Sequence, residues 1–140
     1  MDADDIIARL RRGYEAFNRG DLGSVAVELA PDVSLEERPE SPDPENVLGR
    51  DQALAAIGSL REEFDDYRFE ERQILVEGDY VIAVMRQSAI GKLSRVPVDG
   101  DIVHAWHIRD DQVAGLRAFS TLEEALEAIR ADTGEPAETH

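Results

Sequence analysis

Three residues stand out for the chemistry they would perform if the fold brought them together: His104, Arg117 and Glu37. A neutral imidazole can polarise a carbonyl or relay a proton near pH 7. A guanidinium can grip a carboxylate or enolate oxygen with two parallel N–H groups. A carboxylate against apolar walls gains basicity and can take a proton from carbon. Each residue also has a purely structural reading. His104 can be a core histidine bonded to a neighbour, and Arg117 and Glu37 can form an internal ion pair. The two readings of Glu37 pull apart, because apolar walls raise its pKa and an adjacent Arg117 lowers it.

The element that must place His104 is VPVDGDIVHAWHIR, Val96 to Arg109. Val98, Gly100, Ile102, His104, Trp106 and Ile108 alternate along it, the period of a strand with one face on a core. Asp110-Asp111 reads as a tight turn and Gln112 to Phe119 as the returning strand. With those two residues as the loop, antiparallel pairing sets Ile108 opposite Val113, Trp106 opposite Gly115, His104 opposite Arg117 and Ile102 opposite Phe119. Trp106 and Phe119 then form a cavity wall, while Tyr14 is a packed helix residue whose hydroxyl reaches a polar group. Glu36 and Glu37 are neighbours, so one of them faces inward, and Leu35 shares the phase of Glu37. His104 and His107 fall on opposite strand faces and cannot chelate one ion. The acidic clusters read as solvated faces, so neither a metal nor a cofactor is expected.

The rest of the chain supplies the scaffold. Ile6, Ile7, Leu10, Tyr14 and Phe17 predict a helix from Asp2 to Arg19. Asp21 is an N-cap for a short second helix that Pro31 closes. Asp32 to Arg38 reads as a short strand, and PESPDPENVLG, Pro39 to Gly49, as a loop without regular structure. A third helix begins near Asp51, with Leu54, Ile57, Leu60 and Phe64 facing inward. Strands follow at Tyr67 to Glu77 and Tyr80 to Ile90, with Gly78-Asp79 as the hairpin. The face of the sheet taken by Arg86 is left open by the pattern. Thr121 with Glu124, or Ser120 with Glu123, caps a last helix. One domain over 1–131 and a polar tail over 132–140 result. Helices gathered on one face of a curved antiparallel sheet give an α+β cone with a cavity suited to a small molecule.

Composition narrows the partners. A net charge of −16 repels nucleic acid and anionic lipid. Cysteine is absent, so there is no disulfide framework and no thiolate nucleophile. The acidic opening MDADDIIARL is unlike a signal peptide, and no run suits a membrane span, so a cytoplasmic location is expected. Val103, Ala105, Ala114, Leu116 and Ala118 would form an apolar patch on the sheet's outer face. That patch predicts a homodimer built through the sheet.

Five segments resemble the SnoaL-like branch of the NTF2-like superfamily: YEAFNRGDL (Tyr14 to Leu22), APDVSLEE (Ala30 to Glu37), GRDQALAAI (Gly49 to Ile57), HAWHIRDDQVAGLRAF (His104 to Phe119) and LEEALEAI near the end. The resemblance implies a cone of curved antiparallel sheet wrapped around N-terminal helices, with a C-terminal helix and a homodimer. It spans many functions, among them isomerases, polyketide cyclases, dehydratases, epoxide hydrolases and inactive members. Aligned with ketosteroid isomerases, Glu37 takes the place of the base carboxylate and His104 that of the protonated oxyanion-hole acid. Gly13 takes the place of the oxyanion-hole tyrosine, which makes steroid isomerisation itself a poor match. Polyketide cyclases thought to use an Asp/His pair are closer in residue type. The implied activity is acid–base proton transfer on a hydrophobic carbonyl compound, without a cofactor. Glu37, His104 and Arg117 would be catalytic, and Tyr14, Trp106 and Phe119 would bind the ligand. The alternative is a non-catalytic ligand-binding or dimerisation module of the same fold.

Overall fold

The computed structural model describes residues 2–26, 29–36 and 46–132. In chain order these form α1 (Ala3–Asn18), α2 (Leu22–Ala26), β1 (Leu29–Glu36), β2 (Asn46–Leu48), α3 (Arg50–Glu63), β3 (Phe64–Glu77), β4 (Tyr80–Gly91), β5 (Pro97–Arg109), β6 (Gln112–Phe119) and α4 (Leu122–Asp132). The six strands make one sheet in the order β2-β1-β6-β5-β4-β3, antiparallel except for the parallel β1–β6 pair. The short β2 lies within the segment expected to lack regular structure, where it pairs with the end of β1. Among the described residues, no helix is long and apolar enough to cross a membrane.

Local chemistry explains the element ends. The Asp2 carboxylate accepts the amide of Asp5 at the start of α1. Asp21 accepts both the amide and the hydroxyl of Ser24. Thr121 and Glu124 form the capping pair, which settles the choice between the two candidate caps. Asp110 and Asp111 both adopt positive φ, as a two-residue hairpin requires. At the end of α1 the Asn18 side chain donates to the carbonyl of Phe69 (3.0 Å) and accepts its amide (2.9 Å). That reciprocal pair fastens the helix to β3.

Bulges bend the sheet into a cone. Strand β3 carries extra residues against β4 between Asp65 and Arg68 and between Glu71 and Gln73. A third irregularity lies in β6: Ile108 pairs with Val113 as expected, but His107 pairs with Gly115, so Ala114 is extra. Every later partner shifts by one. Trp106 therefore meets Leu116, His104 meets Ala118, and Arg117 meets Ala105. The expected pairing of His104 with Arg117, and of Trp106 with Gly115, does not form. Because strand faces alternate, the shift puts His104 and Arg117 on opposite sides of the sheet. Gly115 instead gives room to β1, since a Cβ there would lie 3.1 Å from the Ser34 hydroxyl.

Both faces of the sheet are covered. Ile6 and Leu10 of α1 pack with Val33, Val81, Ile108 and Val113 on the inner face. On the outer face Ala125 and Ile129 of α4 pack with Tyr80, Ile82, Val103, Ala105 and Phe119. The expectation of helices on one face thus holds for α1 to α3 and fails for α4. The reason is that outward positions of β4 and β5 are themselves apolar and need a cover. The apolar patch expected to receive a second copy is dispersed: Val103 and Ala105 lie under α4, while Leu116 and Ala118 line the inner cavity. Arg86 takes the outer-facing phase of Tyr80 and Ile82, where its Nε donates to Asp99 at 2.7 Å.

Candidate functional site

A cavity of about 230 Å³, partly open to solvent, lies between the inner face and helices α1 and α3. Its walls are mainly apolar: Leu10 and Phe17 from α1, Ile57 and Leu60 from α3, and Leu35, Val113 and Leu116 from the strands. The polar atoms converge where α1 faces β5. The indole N–H of Trp106 donates to the Tyr14 oxygen at 2.8 Å, and that oxygen lies 2.7 Å from Nδ1 of His104. All three residues border the cavity.

Valence sets the Trp106 end of this chain: an indole N–H can only donate, so the Tyr14 oxygen accepts from it. In the tautomer whose Nδ1 takes the Tyr14 proton, the neutral ring carries its own proton on Nε2. Rings hold the arrangement in place. Tyr14 and His104 lie nearly parallel at 6°, and Phe69 meets the imidazole edge-on at 5.1 Å between centroids. One flank of the Tyr14 ring borders the cavity, but its hydroxyl end is enclosed by the imidazole and indole. Burial pushes the Tyr14 phenol far above the ordinary tyrosine range; the indole donor pulls the other way and is outweighed. His104 is itself 6% exposed, so its environment is set by these neighbours rather than by bulk water.

Of the residues singled out in the sequence, Tyr14, His104 and Trp106 come together. Arg117 does not join them. Its Nε donates to Glu36 at 3.1 Å, and its guanidinium lies over the Phe119 ring at 5.3 Å. Phe119 belongs to the core beneath α4 and is not a cavity wall. The Ala114 bulge accounts for both corrections, since it inverts the facing of everything after it in β6. Glu37 lies outside the described residues. Its predecessor Glu36 holds Arg117 and borders the cavity, while Leu35 lines it, in the phase assigned to it from the sequence.

Phe69, Leu116 and Ala118 belong to the site and were missed. Phe69 was in reach of sequence reasoning, because it alternates with Tyr67 on a strand already recognised. Leu116 and Ala118 were not, because they depend on the bulge. Near Phe69, Arg11 of α1 makes a two-toothed ion pair with Glu71 of β3, both contacts at 2.9 Å. The guanidinium holds the Glu71 carboxyl below the usual carboxylate range.

Comparison with known proteins agrees with this architecture. The family model for the SnoaL-like domain matches residues 10–116. No curated protein matches the sequence. An NTF2-like protein of unknown function from Burkholderia pseudomallei superposes with a TM-score of 0.73 at 21% identity, over 87% of this chain and 95% of that one. A protein from Jannaschia assigned as a SnoaL-like polyketide cyclase gives 0.72 at 22%, over 90% and 92%. A ketosteroid isomerase-like fold from Catenulispora acidiphila, solved with trimethylamine, gives 0.71 at 13%, over 94% and 96%. At these identities the likeness is one of fold.

Proposed function

The chain belongs to the SnoaL-like family, and from that premise we propose that it binds a compact apolar molecule carrying a carbonyl oxygen and moves a proton on it. The observation that carries this reading is the Trp106–Tyr14–His104 chain, which holds one imidazole on the wall of a mainly apolar cavity. The cavity volume, about 230 Å³, sets the size of the ligand. It exceeds the ~150 Å³ that accommodates benzene and falls short of the ~300–1,000 Å³ of pockets for drug-sized ligands. One or two fused rings fit that range better than a four-ring steroid. The likeness to a protein assigned as a polyketide cyclase points to the same functional group, since polyketides are rich in carbonyls.

In this mechanism Nε2–H of His104 donates to the carbonyl oxygen. Glu37 takes a proton from the adjacent carbon, giving an enolate whose oxygen the imidazole stabilises. Return of the proton from Glu37 at another carbon completes an isomerisation; attack of the enolate on a second carbonyl forms a carbon–carbon bond and an alkoxide, and the alkoxide takes the proton back from Glu37 to complete a cyclisation. Arg117 acts at one remove, holding Glu36, the residue before the base. A second reading, binding without turnover, draws support from the Trp106–Tyr14–His104 network, which ties α1 to β5 without any ligand.

Binding of 1-indanone and of indane, which lacks only the oxygen, tests the proposal by ligand-observed NMR. The wild type should prefer the ketone about tenfold, and His104→Phe should erase the preference. In D2O the wild type should speed deuteration beside the carbonyl, and Glu37→Gln should abolish that while keeping the ketone bound. Binding without deuteration selects the second reading; binding of neither molecule overturns both.

A further inference from the structure

Gly13 sits in the interior of α1, where glycine weakens a helix relative to alanine. A glycine kept at such a position usually has a neighbour pressing on it. Gly58 of α3 does: a Cβ there would lie 3.4 Å from the Leu22 side chain. Gly13 does not. Among the described residues a Cβ built on it meets nothing within 4 Å, and its φ is not in the left-handed region, so no described neighbour excludes a side chain. The residue is half-buried, and the space over it is the cavity, which it lines together with Arg9 one turn before and Phe17 one turn after.

We infer that Gly13 is a specificity-determining residue: its missing side chain opens a slot in the cavity wall between Arg9 and Phe17, where the ring of the bound molecule rests against the backbone of α1. Bare backbone permits that approach, as any side chain would occupy the slot. The slot lies beside Tyr14, so a ring seated there is brought alongside the polar end of the cavity. The inference rests on the cavity-binding reading above and adds to it the place where the ring lies.

Two substitutions test this with opposite signs for stability and binding. Gly13→Ala should raise Tm by about 2–5 °C through helix propensity alone, and should weaken indane binding by about twofold to threefold as one methyl enters the slot. Gly13→Leu should also raise Tm, because it fills empty space with apolar surface, and should weaken indane binding at least tenfold. A fall in Tm or failure to fold in Gly13→Ala overturns the inference, since it would mean that the space is not open. Wild-type affinity in Gly13→Leu also overturns it, while leaving the cavity-binding reading intact. Failure of the wild type to bind indane removes that reading and this inference with it.

Discussion

The hydroxyl oxygen of Tyr14 lies 2.7 Å from Nδ1 of His104, a hydrogen bond that joins the middle of α1 to the middle of β5. The same oxygen accepts the Trp106 indole N–H at 2.8 Å, so one atom serves two partners, one buried and one partly buried. Its removal leaves both without their partner, and an unsatisfied buried polar group costs about 1–3 kcal/mol. Tyr14→Phe should therefore lower unfolding free energy by about 2 kcal/mol in urea titrations. A loss below about 0.5 kcal/mol would mean that the two partners find replacements at once.

Alkaline pH offers a second check on that atom. Burial holds the folded-state pKa of Tyr14 above its ordinary value near 10. Above pH 10 the unfolded chain releases this proton and the folded one keeps it, so stability falls as pH rises. The slope for one group approaches about 1.4 kcal/mol per pH unit. Tyr14→Phe should lose stability less steeply than the wild type between pH 10 and 11. Parallel slopes would refute the assignment.

The acid limb should respond to Glu71. Arg11 lowers the folded pKa of that carboxyl, so its contribution is present above its unfolded pKa and disappears as pH falls through the folded one. Glu71→Gln should be less stable than the wild type at pH 7 and should converge with it below pH 4. Thermal melts of the two proteins across that range would show the convergence.

Leu116 separates the inner cavity from the outer face. It lines the cavity opposite Trp106 in register. Leu116→Glu should keep the wild-type mass in light scattering and lose indane binding. A change in mass with binding intact would place the side chain on an intermolecular surface instead.

Asn18 fastens α1 to β3 by bonding both backbone groups of Phe69. Asn18→Ala should cost about 1–3 kcal/mol in urea titrations. Amide exchange at Phe69 should quicken by more than at Val81, in the core of the same sheet. Equal effects at the two amides would make the loss global rather than local.

The sequence carried most of the scaffold because its signals are local. Alternation from Val98 to Ile108 reports facing directly, and Asp21 and Thr121 announce helix starts through their own side chains. Tyr14, His104 and Trp106 were each legible as site residues for the same reason, an element whose period is clean, although their bonding to one another was not. Arg117 and Phe119 were misplaced because their facing depends on what happens between Val113 and Gly115. Nothing in QVAGLRAF marks Ala114 as the residue without a partner, since the bulge is a property of the strand pair. The cover provided by α4 was equally hidden, as its inner stripe fits either face of a sheet.

The extra residue in β6 decides which of two interiors the strand presents. Excising Ala114 would restore simple alternation and leave Leu116 opposite Trp106 and Arg117 opposite Ala105, so the hollow would keep its lining. Drawing Ala114 into the ladder opposite His107, with the chain length unchanged, would instead set Arg117 opposite His104 and trade a greasy wall for a cationic one.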